Sequence, residues 1–200
     1  MANLDRPSGF KPVKNLTGSP WNGKANIYYF KSDYDVEVFK GDAVKLAGSS
    51  DATAKFPSIE RAAATNETLV GVVIGFGTHP SLMANPDNLN MKYKAKSTEM
   101  YALVVDDPFT IFEVQEDSEG NNLTADMVGL LTDLVAGAGS TTTGLSGMEL
   151  DSSDTATAAG QLRILRVVNR EDNALGTHCK WEVLLAEHVY REQITTVDVS

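Results

Sequence analysis

From Met100 to Asp117 the chain reads MYALVVDDPFTIFEVQED. Tyr101, Leu103 and Val105 recur at every second position, and Phe112 and Val114 resume that period beyond Asp106-Asp107-Pro108. Such alternation places apolar side chains on one face of an extended segment. The stretch therefore predicts two buried strands hinged at the Asp-Asp-Pro, as a core hairpin or as one bent strand. Pro108 has no backbone N–H to give to a ladder, which is why pairing is expected to break there.

The same reading extends to the rest of the chain. Ile27 to Phe30 is a short apolar run, and Val36, Val38 and Phe39 lead to Gly41-Asp42, a turn signal before Ala43 to Leu46 that predicts a hairpin. Ser49 to Lys55 reads as a polar loop and Ile59 to Ala63 as a short strand. Leu69 to Phe76, LVGVVIGF, is β-branched and interrupted by glycine, and predicts an inner strand. Gly77 to Tyr93 breaks the pattern with two prolines and three asparagines, as long partner-facing loops do. Leu123 to Val135 predicts one helical turn ending at Gly129 and then a strand from Leu130. Gly137 to Gly147 reads as a small, polar connection and Met148 to Leu150 as a brief strand. Leu162 to Val168 and Trp181 to Ala186 read as a closing hairpin, with Trp181, Val183 and Leu185 on one face.

Roughly ten short antiparallel strands separated by Gly, Asn, Asp and Thr turns predict an all-β barrel or sandwich. Parallel βαβ folds are excluded because the crossover helices are missing. Residues 1–26 carry Pro7, Pro12 and Pro20 and no sustained period, which predicts an extended N-terminal arm. Phe10, Trp21, Tyr28 and Tyr29 would give such a segment aromatic anchors, against the alternative of a floppy terminus. The expected organisation is an arm (1–26), a β body (27–190) that divides, if at all, near 118–136, and a C-terminal tail (191–200).

Charge refines this picture. The 200 residues carry a net charge of −10, and no Lys or Arg occurs from Ser97 to Leu162, a window holding twelve carboxylates. Phosphate would be repelled by such a surface, so nucleic-acid binding is not expected. Lys11, Lys14, Lys24, Lys31, Lys40 and Lys45 make the first fifty residues mildly basic. The acidic window reads as a solvated face, or as one half of a charge-complementary contact. The lone Cys179 cannot form an intrachain bridge, no run is long enough to span a bilayer, and the start carries no apolar signal core. A cytoplasmic product without membrane association is expected.

Candidate chemistry is sparse. Asp106 and Asp107 are neighbours that diverge on a strand, so turn capping is expected of them rather than acid/base work. Asp117-Ser118-Glu119-Gly120-Asn121 alternates oxygen ligands but lacks the register of a calcium loop. His79, His178 and His188 do not recur at ligand spacing, and loop or surface positions are expected for them. Gly144-Leu145-Ser146-Gly147 misses the nucleophile-elbow spacing, and no helix follows GVVIGFG to make a phosphate cradle. No catalytic residue, metal or cofactor is expected.

SGFKPVKNLTGSPWNGKANIYYF (Ser8 to Phe30), VFKGDAVKLAG (Val38 to Gly48), LVGVVIGF (Leu69 to Phe76), YALVVDDPFTIFEVQED (Tyr101 to Asp117), GAGSTTTGLSGMELD (Gly137 to Asp151) and LRILRVVNREDN (Leu162 to Asn173) follow one another along most of the chain. In this order the segments resemble the head decoration, or capsid cement, proteins of tailed bacteriophages. The resemblance implies a small β-barrel module, often trimeric, on the outside of an icosahedral shell, clamping neighbouring major capsid subunits. It also implies a virion location after assembly in the host cytoplasm. The chain is longer than the smallest members, with room for an extra β-layer. In that setting the arm and the 77–93 loop are the expected capsid contacts, through Phe10, Pro12, Trp21, Tyr28, Tyr29, Pro80, Leu82 and Met83. A carbohydrate-binding or host-recognition sandwich with Trp21, Trp181 or Tyr101 as sugar platforms is the alternative, and a tail-tube or baseplate β-module is a third.

Overall fold

Leu69 to Phe76 is apolar without alternation because both of its faces are covered. Val70 and Val73 belong to one hydrophobic cluster and Leu69 and Val72 to another, as expected of a strand enclosed on two sides. The computed structural model describes residues 3–63, 65, 67–79, 91–156 and 159–192. Along them run β1 (Lys11–Asn15), β2 (Asn26–Phe30), β3 (Val38–Phe39), β4 (Ala43–Ser50), β5 (Pro57–Arg61), β6 (Gly71–Gly77) and β7 (Tyr93–Lys94). Then follow β8 (Met100–Val105), β9 (Thr110–Gln115), a 3-10 turn (Ala125–Met127), β10 (Leu131–Gly137), β11 (Gly147–Ala156), β12 (Leu162–Val167), β13 (Lys180–Leu185) and α1 (Val189–Glu192). The fold is all-β, as the sequence predicts.

Two β bodies pack on each other. The first is a closed barrel in the order β2-β5-β4-β6-β8; the second is a six-stranded sheet, β1-β9-β13-β12-β10-β11. An isolated bridge between Glu116 and Leu150 brings β11 back toward the end of β9 and curls that sheet. The barrel encloses Tyr28, Phe30, Val44, Ile59, Met100, Ala102 and Val104, among others. The larger cluster lies where the sheet, through Phe112, Leu150, Ile164 and Trp181, meets Ala43, Val72 and Val105 from the barrel strands. The 3-10 turn and the strand after it match the reading of Leu123 to Val135, and β12 and β13 form the closing hairpin.

Several local expectations are corrected. β8 and β9 do not pair: the chain leaves the barrel at Asp106 and enters the sheet at Thr110, so the Asp-Asp-Pro hinge joins two bodies and the hairpin alternative falls. This switch lies upstream of the 118–136 stretch in which a division is expected. Tyr101 and Leu103 face outward, while Met100, Ala102 and Val104 fill the barrel. Val38–Phe39 pairs with β7 rather than with Ala43 onward, so Gly41-Asp42 turns the chain without making a hairpin. Among the described strands one pairing is parallel, at Tyr29 and Ser58 between β2 and β5, and the isolated bridges Lys40–Leu145, Leu69–His188 and Glu116–Leu150 are parallel too.

Among the described residues of the expected arm that precede β2, only Lys11–Asn15 is a strand: β1 pairs antiparallel with β9, the chain folds back on it through a Lys14–Pro20 bridge, and Phe10 is fully buried. Two glycines permit this joint. Gly9 and Gly41 have φ of 67° and 95°, a region that favours glycine, and a Cβ on Gly9 would lie 2.4 Å from the Gly41 carbonyl oxygen. Phe10 N–H donates to that same oxygen at 2.9 Å. The segment is thereby fastened to both bodies.

Candidate functional site

Aromatic side chains gather on the outside of the barrel where β2 meets β8. Alternation along β2 turns Tyr28 and Phe30 inward and Tyr29 outward, and on β8 it turns Tyr101 outward. The register sets Tyr29 opposite Tyr101, with ring centroids 5.4 Å apart. Phe56, from the turn between β4 and β5, meets the edge of Tyr101 at 5.4 Å, and His79 approaches it at 6.4 Å. Tyr29, Tyr101 and Phe56 are all half-buried. Burial, together with Glu99 and Asp51, raises the pKa of both tyrosines, which therefore stay neutral phenols at physiological pH.

Of the expected capsid contacts, Phe10 and Tyr28 are core residues, 1% and 3% exposed. Phe10 meets Phe112 edge to face at 6.5 Å. The Tyr28 hydroxyl donates to Asp106 Oδ2 at 2.8 Å and lies 2.8 Å from the Tyr190 hydroxyl. Pro12 is half-buried in β1, and Trp21 packs against the main cluster while its Nε1–H donates to the Lys24 carbonyl at 3.2 Å. Tyr29 alone joins the outer aromatic group. Pro80, Leu82 and Met83, with most of the 77–93 loop, lie outside the described residues.

The acidic groups fall into structural roles. Asp106 accepts from Asn26 Nδ2 at 2.9 Å as well as from Tyr28, whereas Asp107 accepts from the Phe109 N–H at 2.9 Å and closes the turn. The two carboxylates thus diverge. Asp117 takes the Ser152 N–H and hydroxyl at 3.1 and 2.6 Å, fastening the 117–122 tip to β11. Burial raises the pKa of Glu116 although Leu123 N–H and Trp181 Nε1–H both donate to Oε2. Glu149 is pushed up to about 7, mainly by burial and further by Asp5, Asp117 and Glu119, against a hydrogen bond from Gln115.

Other expected positions are also resolved. Trp181 is fully buried, so it cannot serve as a sugar platform. His188 is buried too, contrary to the surface position expected for it, and Ser146 of the GLSG stretch donates to buried Asp42. Burial pushes the Cys179 thiol up to about 11 and leaves it a core side chain. No helix among the described residues is long and apolar enough to cross a membrane.

Sequence reasoning missed Phe56 as a partner of Tyr101 and a cleft of about 530 Å³ beside it. Asn26, Tyr28, Lys55, Phe56, Asp106 and Tyr190 line that cleft. Positions so far apart along the chain carry no local signal of their proximity. No family model matches the chain, and no curated protein or solved structure matches it either.

Proposed function

We propose that this chain is a structural, non-enzymatic capsid decoration protein. It binds the outer surface of an icosahedral phage head in many copies, as a homotrimer, and clamps neighbouring major capsid subunits. The order of the segments from Ser8 to Asn173 supports the reading, and so does the all-β body.

The observation that carries it is the outward aromatic group of Tyr29, Tyr101 and Phe56 on a closed barrel. Tyrosine combines a large apolar face with a hydroxyl that tolerates water, which suits a residue exposed before assembly and buried afterwards. A barrel has no open edge to order on binding, so its rings are presented without a large entropic cost. Symmetry repeats each such contact over the shell. The capsid contact is therefore assigned to this face, in place of the buried Phe10 and Tyr28.

The test is sedimentation of purified expanded heads with added protein. Wild type is expected to co-sediment at a copy number in the hundreds, and a Tyr29→Ala/Tyr101→Ala double variant to lose about 2–4 kcal/mol of binding. A Leu175→Ala control, at an exposed position in the connection between β12 and β13 of the other body, is expected to bind as wild type. Unchanged occupancy in the double variant, or a handful of copies on native particles, would overturn the proposal.

A second reading, glycan or host recognition, is favoured by the cleft. Its half-exposed Tyr190 and Phe56 stand beside the Asp106 carboxylate and the Asn26 amide. Aromatic faces next to polar groups match the chemistry of sugars. Binding on a glycan array that is abolished by Tyr190→Ala would favour this reading over decoration.

A further inference from the structure

Asp5, Glu149 and His178 come from three distant parts of the chain: the N-terminal segment, β11 and the loop before β13. Yet one ligand atom from each lies within 4.8 Å of the others. His178 Nδ1 is 4.0 Å from Asp5 Oδ1. That nitrogen is itself buried, and it has no hydrogen-bond partner among the described residues. A buried imidazole nitrogen without a partner is costly and rare unless something else takes its lone pair.

The surroundings orient the three groups. Gln115 Nε2 donates to Asp5 Oδ1 and to Glu149 Oε1, each at 3.1 Å, while its Oε1 accepts the Arg6 N–H at 3.1 Å. Gln115 thus ties the two carboxylates together, as outer-shell residues do at metal centres. The His178 N–H donates to Ser118 Oγ at 2.7 Å, which fixes the loop that carries the ring. No Lys or Arg side chain among the described residues forms an ion pair with Asp5 or Glu149.

We propose that Asp5, Glu149 and His178 form a binding site for a divalent transition-metal cation of the zinc class. Two carboxylate oxygens and one imidazole nitrogen are a three-ligand set that leaves one position open to water or to a partner's side chain. The imidazole selects zinc-like ions over calcium and magnesium, which take oxygen ligands. Zinc bonds of about 2.0–2.2 Å require ligand atoms roughly 3.3 Å apart, closer than the 4.0 Å between His178 and Asp5. Asp5 is the exposed member and can close that gap by side-chain rotation. Bound metal would tie the N-terminal segment to β11 and to the 168–179 loop. This site is independent of the decoration reading.

Isothermal titration of metal-free protein with zinc sulfate tests it, with far-ultraviolet circular dichroism to check each fold. Wild type is expected to bind one zinc and to melt at a higher temperature with it. Asn tolerates the positive φ of 55° at His178, so His178→Asn removes the ring without straining the loop. That variant and Glu149→Gln are expected to bind at least about tenfold more weakly and to lose the thermal shift. Asp126→Asn is expected to behave as wild type. Cobalt in place of zinc is expected to give visible d–d bands in wild type that His178→Asn alters. An absence of zinc binding, zinc binding unaffected by His178→Asn and Glu149→Gln together, or binding of calcium in preference to zinc would each overturn the proposal.

Discussion

Arg61 Nε lies 2.9 Å from Asp42 Oδ2, and neither side chain is appreciably exposed. Asp42 also accepts the Phe39 N–H and the Ser146 hydroxyl, while Arg61 Nη2 reaches the Gly137 carbonyl. Asp42 and Arg61 belong to the barrel side and Ser146 and Gly137 to the sheet side, so the pair is the polar joint between the two bodies. Removing one partner leaves the other charge buried and uncompensated. Arg61→Ala is expected to cost about 3–5 kcal/mol in urea unfolding. Adding Asp42→Asn is expected to recover at least about 1 kcal/mol, because a neutral amide no longer demands a counter-charge. Equal loss in the single and double variants would show that the charge is not what matters.

Phe10 anchors the N-terminal segment in the main core, so its truncation is a packing defect rather than the loss of a surface contact. Phe10→Ala is expected to cost about 3–5 kcal/mol. Trp21, only half-buried, is expected to cost less. Deletion of residues 1–26 would remove β1 and Phe10 together and report on folding before it reported on binding. Chemical denaturation of Phe10→Ala separates the two cases: a stability within about 0.5 kcal/mol of wild type would mean that the segment is a detachable arm after all.

What could be read from the chain, and what could not, follows the range of the interactions. Strand character at Leu69 to Phe76 and Trp181 to Leu185 depends on neighbouring residues, and it is visible in period and β-branching. The inward face of β8 was not legible, because Tyr101 and Leu103 are larger than the Ala102 between them and set the visible period. Tyr28, Phe30 and Phe76 already occupy the interior of the five-stranded barrel, so β8 turns Ala102 and Val104 inward beside them, an arrangement set by closure and not by local sequence. The fate of residues 8–15 was hidden for a similar reason: their partner, β9, lies about a hundred positions away. The aromatic group on Tyr101 and the Asp5, Glu149 and His178 cluster are likewise products of register and topology.

Glu116 sits in the core with hydrogen bonds from Leu123 and Trp181 but with no ion-pair partner among the described residues, and burial raises its pKa. A raised folded-state value means that the native protein holds this proton more tightly than the unfolded chain. The stabilisation is complete below the unfolded value of about 4.3 and is lost as pH rises through the folded one. Glu116→Gln keeps an oxygen for both donors and removes the titration. The variant is expected to be more stable than wild type at pH 8 and to lose that advantage near pH 4, measured as the urea midpoint. A difference that does not vary with pH would assign the effect to packing.

His188 supplies the opposite slope. It is fully buried, its Nδ1 accepts the Tyr190 N–H at 3.2 Å, and burial lowers its pKa. Asp106 and Asp107 pull the other way and Arg191 adds to the lowering, but burial is the largest effect. The native state therefore favours the neutral ring, while the unfolded chain takes up a proton near pH 6.5. Stability from this group is complete above that value and is lost as pH falls through the folded one. In His188→Gln the amide oxygen can accept from Tyr190 without titrating, so the fall in stability between pH 7 and pH 5 is expected to be shallower than in wild type. Urea midpoints for the two proteins across that interval decide it: parallel curves would place the acid sensitivity elsewhere.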